Sequence, residues 1–242
     1  LSVSNPINFY HLASLVAANW DDLEIHYAKA DQSLSKPVYS PRGRAFEWEK
    51  GFELLARSKL EVRNASKFIV KTDISNFYPS VYTHSIPWAL HTKPVAKMNR
   101  DFQDNLGNKL DTIIRNGQEG QTKGIPIGPD PSLVIAEIIM TSIDEVLIRK
   151  INTKYFRYVD DFEFGCSTAQ EADSVLGNLQ EVLAEYELTL NQSKTAVWEL
   201  PCAVNPLWVH ELTSFDFHST EKGQERDLLN YFSLSIDRFL QY

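Results

Sequence analysis

The stretch KYFRYVDDFEFGC, residues 154–166, limits the fold more than any other part of this chain. Apolar and polar residues alternate on either side of an adjacent acid pair, Asp160 and Asp161, as in two short strands joined by a tight turn. A lone strand pair is barely stable in water, so it requires a wider sheet and a layer packed on it. Taken alone, two acids at a hairpin tip are an ordinary solvated turn, because Asp is well tolerated there. What else they do depends on which other strand reaches the same edge.

Residues 67–73, KFIVKTD, read as a strand that ends on Asp73, with Ile69, Lys71 and Asp73 on one face. Residues 194–200 read as another strand, stopped by Pro201 and Pro206. Helical patterns cover 6–30, opened by Asn5-Pro6, then 45–63 with Phe46, Phe52, Leu55 and Leu60 as anchors. Further helices are expected over 83–90, 94–116 (largely polar), 132–149 (strongly apolar) and 221–242. Thr168 and Glu171 form a capping box ahead of a stripe made by Ala172, Val175, Leu176, Leu179, Val182, Leu183 and Tyr186. Residues 31–44 and 118–128 carry prolines or glycines and read as loops. This order predicts an α+β fold, an antiparallel sheet with helices on one face.

Composition narrows the function classes. The chain has 242 residues and 43% hydrophobic content, enough for a sizeable core. It opens on Leu1 rather than Met, which reads as a portion of a longer protein. The cysteines are Cys166 and Cys202, with no Cys-x-x-Cys, which argues against a disulfide framework and a structural zinc site. A cytoplasmic location is the expectation. The apolar run at residues 12–18 is too short to span a bilayer, so no membrane partner is expected. The net charge of −8 argues against broad, non-specific nucleic-acid binding, which phosphate contacts drive.

If the strands ending in Asp73 and Asp160 are neighbours, the two acids meet at one sheet edge. Converging carboxylates repel and raise each other's pKa unless a cation sits between them. Mg²⁺, or Mn²⁺ in its place, suits such a site, being hard and oxygen-seeking and commonly shared with a substrate phosphate. Two such ions support in-line phosphoryl displacement, a chemistry that needs positioning and charge neutralisation more than a protein nucleophile.

Four segments in order carry a family resemblance. KTDISNFYPS (71–80), GIPIGPD (124–130), RYVDD (157–161) and LNQSKT (190–195) resemble motifs A, B, C and D of reverse transcriptases. The longer run DISNFYPSVYTHSIPWALH with GIPIGPDPS is similar to the bacterial abortive-infection and defence-associated branch. The likeness is close over residues 67–212 and loose over the first 66.

The resemblance implies a right-hand polymerase palm at 67–212, with a helical fingers insertion at about 92–123. It implies mainly helical fingers at 1–66 and the start of a C-terminal helical, thumb-like region at 213–242. Asp73 and Asp160 would bind metal, Asp161 would support them, and Ile74 would lend its backbone carbonyl. Tyr78 would be the steric gate that excludes the 2′-hydroxyl of a ribonucleotide. Pro126, Ile127 and Gly128 would pass beneath the templating base and incoming nucleotide, glycine allowing close backbone approach. Ile127 stands where many members carry Gln, which removes a polar contact and fits template-independent synthesis. Lys194 would lie near the outgoing pyrophosphate, and Arg42 and Arg44 would clamp the triphosphate.

The implied activity is a DNA polymerase in bacterial antiphage defence. It would add dNTPs to a DNA or RNA strand or to a protein primer, with a noncoding RNA or further copies of itself as partners. Two other readings stand beside it: a catalytically inert, polymerase-like scaffold, and an RNA-dependent RNA polymerase. Three intact acids argue against the first, and Tyr78 with YVDD against the second.

Overall fold

The computed structural model describes residues 4–41, 45–48, 52–98, 105–202 and 207–241. Asn5 opens α1 (Pro6–Ala18), its Oδ1 accepting from the N–H groups of Ile7 at 3.0 Å and Asn8 at 3.2 Å. Pro6 sits in the first turn, where no N–H is needed. The chain breaks at Asn19 and resumes as α2 (Trp20–Tyr27), so the helix expected over 6–30 is two shorter ones.

The next segment departs from expectation. β1 (Pro37–Tyr39) lies inside the loop expected over 31–44 and pairs antiparallel with β2 (Phe46–Trp48), Val38 opposite Glu47. The helix expected from residue 45 begins only at Phe52, as α3 (Phe52–Arg63). Phe46-Glu47-Trp48 alternates at period two, and Phe46 stacks on Trp20 with ring centroids 4.7 Å apart. That tertiary aromatic contact overrides the weak helical spacing.

β3 (Phe68–Thr72) follows, then α4 (Phe77–Ser80), α5 (Ser85–His91), α6 (Lys93–Met98) and α7 (Leu106–Asn116). The helix expected over 94–116 is thus carried by α6 and α7, the latter capped by Asn105. α8 (Asp130–Lys150) leads into β4 (Lys154–Tyr158) and β5 (Asp161–Cys166). α9 (Ala169–Glu185) starts on the predicted box: Thr168 Oγ1 accepts from the Glu171 N–H at 3.1 Å, and the Glu171 carboxylate accepts from the Ser167 N–H at 2.7 Å. A 3₁₀ turn at Gln192–Lys194 leads into β6 (Ala196–Glu199).

β4, β5, β3 and β6 form a four-stranded sheet in that order, antiparallel throughout. Side-chain alternation splits its two faces. Val70, Tyr155, Phe162, Phe164 and Cys166 join the main core with α8 and α9, whose Ile135, Ile139, Val175 and Leu179 are buried there. On the other face, Ile69 and Phe156 pack with Leu34 and Val62. There α3 adds a second, thinner layer, and its Arg63 Nε donates to the Glu163 carboxylate at 2.8 Å.

Residues 1–200 form one compact unit and residues 201–242 a second. In the second, α10 (Leu207–Thr213) and α11 (Glu221–Gln241) pack together, with Arg238 donating to Glu211 at 3.0 Å. Among the described residues, no helix is long and apolar enough to cross a membrane.

Candidate active site

Register places the acids. Thr72 pairs with Phe162, so Asp73, the next residue along, comes level with Asp161, and Asp160 sits beside it at the tip of the β4–β5 hairpin. Asp73 is held by its backbone. Its carbonyl accepts from the Asn191 N–H at 2.9 Å, and the Ser75 N–H donates to Thr189 O at 2.9 Å. These bonds bridge Ile74 to Leu190 and leave the Ile74 peptide groups outside the bridge, while its side chain is buried in the core.

The hairpin turn itself is unusual. Tyr158 pairs directly with Asp161, so Val159 and Asp160 are the whole connection. Val159 has φ 55°, a left-handed conformation. Two-residue turns of this sort normally place glycine at a first position with positive φ. A β-branched residue held there costs about 1–3 kcal/mol and persists only where its surroundings force it.

The side chains at the edge carry unbalanced charge. Asp73 is buried, and Lys194 Nζ donates to its Oδ2 at 2.5 Å. Its Oδ1 is buried with no hydrogen-bond partner. Burial, reinforced by the charges of Asp161 and Asp73, pushes the Asp160 carboxyl up to about 6. Asp161 is also raised, first by partial burial and then by Asp73, with Lys71 and Lys194 pulling the other way. Lys194 is solvent-exposed and its pKa is raised by its bond to Asp73 and the charges of the other two acids. Among the described residues no group of three or more Asp, Glu, His or Cys is gathered as a ready metal cluster. What is present is an acidic edge with an exposed ammonium, that of Lys194, bonded to its buried acid. A buried carboxylate oxygen without a donor is an acceptor position that a hard cation can fill.

Beside these acids opens a cleft of about 430 Å³, lined by Tyr78, Ile127, Gly128, Leu133, Tyr158, Asp160 and Asp161 among others. Tyr78 is half-buried, its ring edge-on to Phe77 at 5.4 Å. The 124–128 loop is pinned below it: the Ile125 N–H donates to Tyr78 O at 2.9 Å, and the Gly124 N–H to Val81 O at 2.7 Å. Gly124 and Gly128 have φ values of 91° and 116°, which explains the glycines. Ile127 is 42% exposed, an apolar side chain on the cleft wall. Pro126 lines a neighbouring cleft with Asn8, Phe9 and Gln118, which Ile127 also borders. A larger cleft of about 760 Å³, between α3 and the start of β4, contains none of these acids. Arg42 and Arg44 lie outside the described residues.

Sequence reasoning missed the support beneath the hairpin. Arg157 is fully buried and bonds to both Glu137 and Asp144 of α8, the shortest contact being 2.7 Å to Asp144 Oδ2. Burial works against the Arg157 charge, but Asp144 and Glu137 more than offset it and raise its pKa. Burial also pushes Asp144 up against the pull of Arg157, while the Tyr155 hydroxyl donates to its other oxygen at 3.0 Å. Two acids about two turns apart in an apolar helix were the available signal, since buried charges require partners. The Val159 N–H donates to Ser35 Oγ at 2.8 Å, a contact that no local pattern announces.

An antiparallel sheet with acids at one edge, helices behind it and a glycine loop facing the acids defines a polymerase palm. The family model for reverse transcriptase (RNA-dependent DNA polymerase) matches residues 21–222, and the chain belongs to that family. It is 26% identical over 123 residues to the Retron Ec73 reverse transcriptase of Escherichia coli, across 48% of this chain and 38% of that protein. Among solved structures, apo telomerase from Candida tropicalis superposes with a TM-score of 0.54 at 14% identity, over 78% of this chain and 37% of that one. The same telomerase truncated of its C-terminal domain gives 0.55 at 15%, over 81% and 42%. These two show the fold alone. The chain spans about two fifths of the length of these proteins.

Proposed function

We propose that this chain is the palm, with its fingers elements, of a DNA polymerase that joins dNTPs to a hydroxyl. The observation that carries the reading is the convergence of Asp73 and Asp160 at one sheet edge, with Asp73 Oδ1 buried and unpartnered. The attacking oxygen, of a 3′ or protein hydroxyl, gives up its proton to solvent and bonds to the α-phosphorus of the dNTP. The bond from that phosphorus to the bridging oxygen breaks and pyrophosphate leaves. Asp73 and Asp160, with Asp161 behind them and the Ile74 carbonyl beside them, would hold Mg²⁺, which supplies charge neutralisation at the oxygens that change bonding. Tyr78 packs under the sugar and excludes the 2′-hydroxyl. Gly128 and Ile127 carry the base, and Lys194 faces the departing pyrophosphate.

Residues 1–66 and about 92–123 fit fingers, and 213–242 the start of a helical C-terminal region. The run through SNFYPSVYTHSIPWALH supports a place in bacterial antiphage defence, and the retron similarity supports a bacterial setting. An apolar Ile127 in the cleft favours synthesis that relies little on a template.

The inert-scaffold reading has one observation on its side: Lys194 already neutralises Asp73, and no ready metal cluster is present among the described residues. Incubation with each labelled dNTP or NTP and Mg²⁺, with and without template, separates the two. Incorporation of dNTPs that vanishes in Asp160→Ala is expected. Incorporation that persists in Asp160→Ala removes the acids from the reaction, and none under any condition favours the scaffold. Tyr78→Ala should gain ribonucleotide use; unchanged discrimination removes the gate.

A further inference from the structure

We infer that Arg157 and Ser35 are positioning residues that clamp the Val159 peptide from both sides and so set Asp160 against Asp73. The inference rests on the polymerase reading. Val159 occupies a left-handed conformation where glycine is the usual residue, and such strain is kept only by contacts that leave no alternative. Both of its peptide groups are engaged by side chains. Its N–H donates to Ser35 Oγ, and its carbonyl accepts from Arg157 Nη1, each at 2.8 Å.

Each clamp arm is itself immobilised. Ser35 is fully buried, on a segment laced to β4: the Leu34 N–H donates to Arg157 O, and the Arg157 N–H donates to Gln32 O, both at 2.8 Å. The Arg157 guanidinium is oriented by Asp144 at 2.8 Å through Nε and by Glu137 at 2.9 and 3.1 Å through its two Nη atoms. Both carboxylates belong to α8, which begins where the 124–128 loop ends. One side chain therefore ties the helix behind the nucleotide cleft to the turn that carries the metal-facing acid. An arginine that served the fold alone could satisfy Glu137 and Asp144 without spending an N–H on the Val159 carbonyl. Outer contacts of this kind fix the orientation of metal ligands, and their loss generally costs metal affinity and rate without touching substrate contacts.

The test uses the full chain with Ser35→Ala, Ser35→Thr and Arg157→Lys, each checked for folding by circular dichroism. Mn²⁺ binding is read by electron paramagnetic resonance, and kcat and KM by single-dNTP incorporation. Ser35→Ala removes one clamp arm and leaves the buried ion cluster whole. It should lower kcat and Mn²⁺ affinity on the order of ten-fold each, with the dNTP KM held within about two-fold. Ser35→Thr should restore both, and Arg157→Lys should shift them the same way. A folded Ser35→Ala, or a folded Arg157→Lys if the first does not fold, with wild-type kcat and Mn²⁺ affinity overturns the inference. If neither folds, the pair serves the fold and the inference fails. A wild type that binds Mn²⁺ yet incorporates nothing sinks the polymerase reading, while the Mn²⁺ comparison still decides the clamp. A wild type that binds no Mn²⁺ overturns both.

Discussion

Two groups of carboxylates lie on either side of the same hairpin turn, and the chain treats them oppositely. Beneath the turn, Glu137 and Asp144 are buried, and all four of their oxygens accept bonds, from Arg157, Tyr155 or Thr141. At the sheet edge, Asp73 keeps one buried oxygen without a donor; burial pushes Asp160 and Asp161 up as it does Asp144, so the unpartnered oxygen carries the contrast. This sequence can evidently supply a buried acid with a cation of its own when the acid serves the fold. Leaving an edge acid short while satisfying those behind it supports the proposal of a metal site at that edge.

The largest effect should come from exchanging an acid in each group. Asp160→Asn should cut dNTP incorporation on the order of a thousand-fold or more, since charge neutralisation in phosphoryl transfer is worth several kcal/mol. Its melting temperature should hold or rise, because a repelling charge is gone. Asp144→Asn should do the reverse, lowering stability first. Equal melting losses in both variants would erase the distinction. Next in size, Arg157→Met leaves Glu137 and Asp144 buried without a counter-charge and should cost about 3–5 kcal/mol in urea unfolding. Adding Glu137→Gln and Asp144→Asn should recover most of that, since the penalty lies in the orphaned charges.

The edge was far more legible from sequence than its support. KTD and YVDD each end or interrupt a short alternating strand, so period-two patterning brought Asp73 and Asp160 to one edge. GIPIG announced its loop because positive φ at Gly124 and Gly128 demands glycine. Phe46 misled, because helical spacing and a two-stranded ribbon place apolar residues similarly over so short a stretch, and only the distant Trp20 decides. Ser35 was invisible for a related reason. A hydroxyl in a proline-containing loop bonding a peptide across the fold leaves no local pattern. Glu137 and Asp144 were visible as charges in an apolar helix, but their partner sits on another element.

Acid titration would blur the comparison unless His26 is accounted for. Burial against α8 lowers its pKa from 6.5 to about 4. Its Nε2 lies 2.9 Å from the Ile138 carbonyl and its Nδ1 3.3 Å from Lys29 Nζ, the arrangement of a neutral ring donating through Nε2. Lys29 lowers the value further, while Glu145 and Glu137 oppose it. The folded value lies below the unfolded one, so the unfolded chain binds this proton first as pH falls. The contribution is complete above about pH 6.5 and is lost toward pH 4, about 3 kcal/mol in all. His26→Gln should flatten that limb of the stability curve; an unchanged slope means other groups carry it.

The smallest effect tests whether the edge is held open by its own lysine. Lys194 is exposed and competes with any incoming cation for Asp73 Oδ2. Only the lysine end of this pair is exposed and Asp73 is buried, so Lys194→Met should lower the melting temperature slightly without metal and raise Mn²⁺ affinity about three-fold. That gain should shrink as salt rises from 0.05 to about 1 M, because exposed charges are screened over such short lengths. The Arg157 cluster, cut off from solvent, should show no matching salt dependence. A weaker Mn²⁺ affinity in Lys194→Met would reverse the interpretation, making the lysine an organiser of Asp73 instead of a rival for it. Asp73 Oδ2 would then be held as firmly as the carboxylates beneath, and the contrast between the two groups would fall to Asp73 Oδ1 and Asp160.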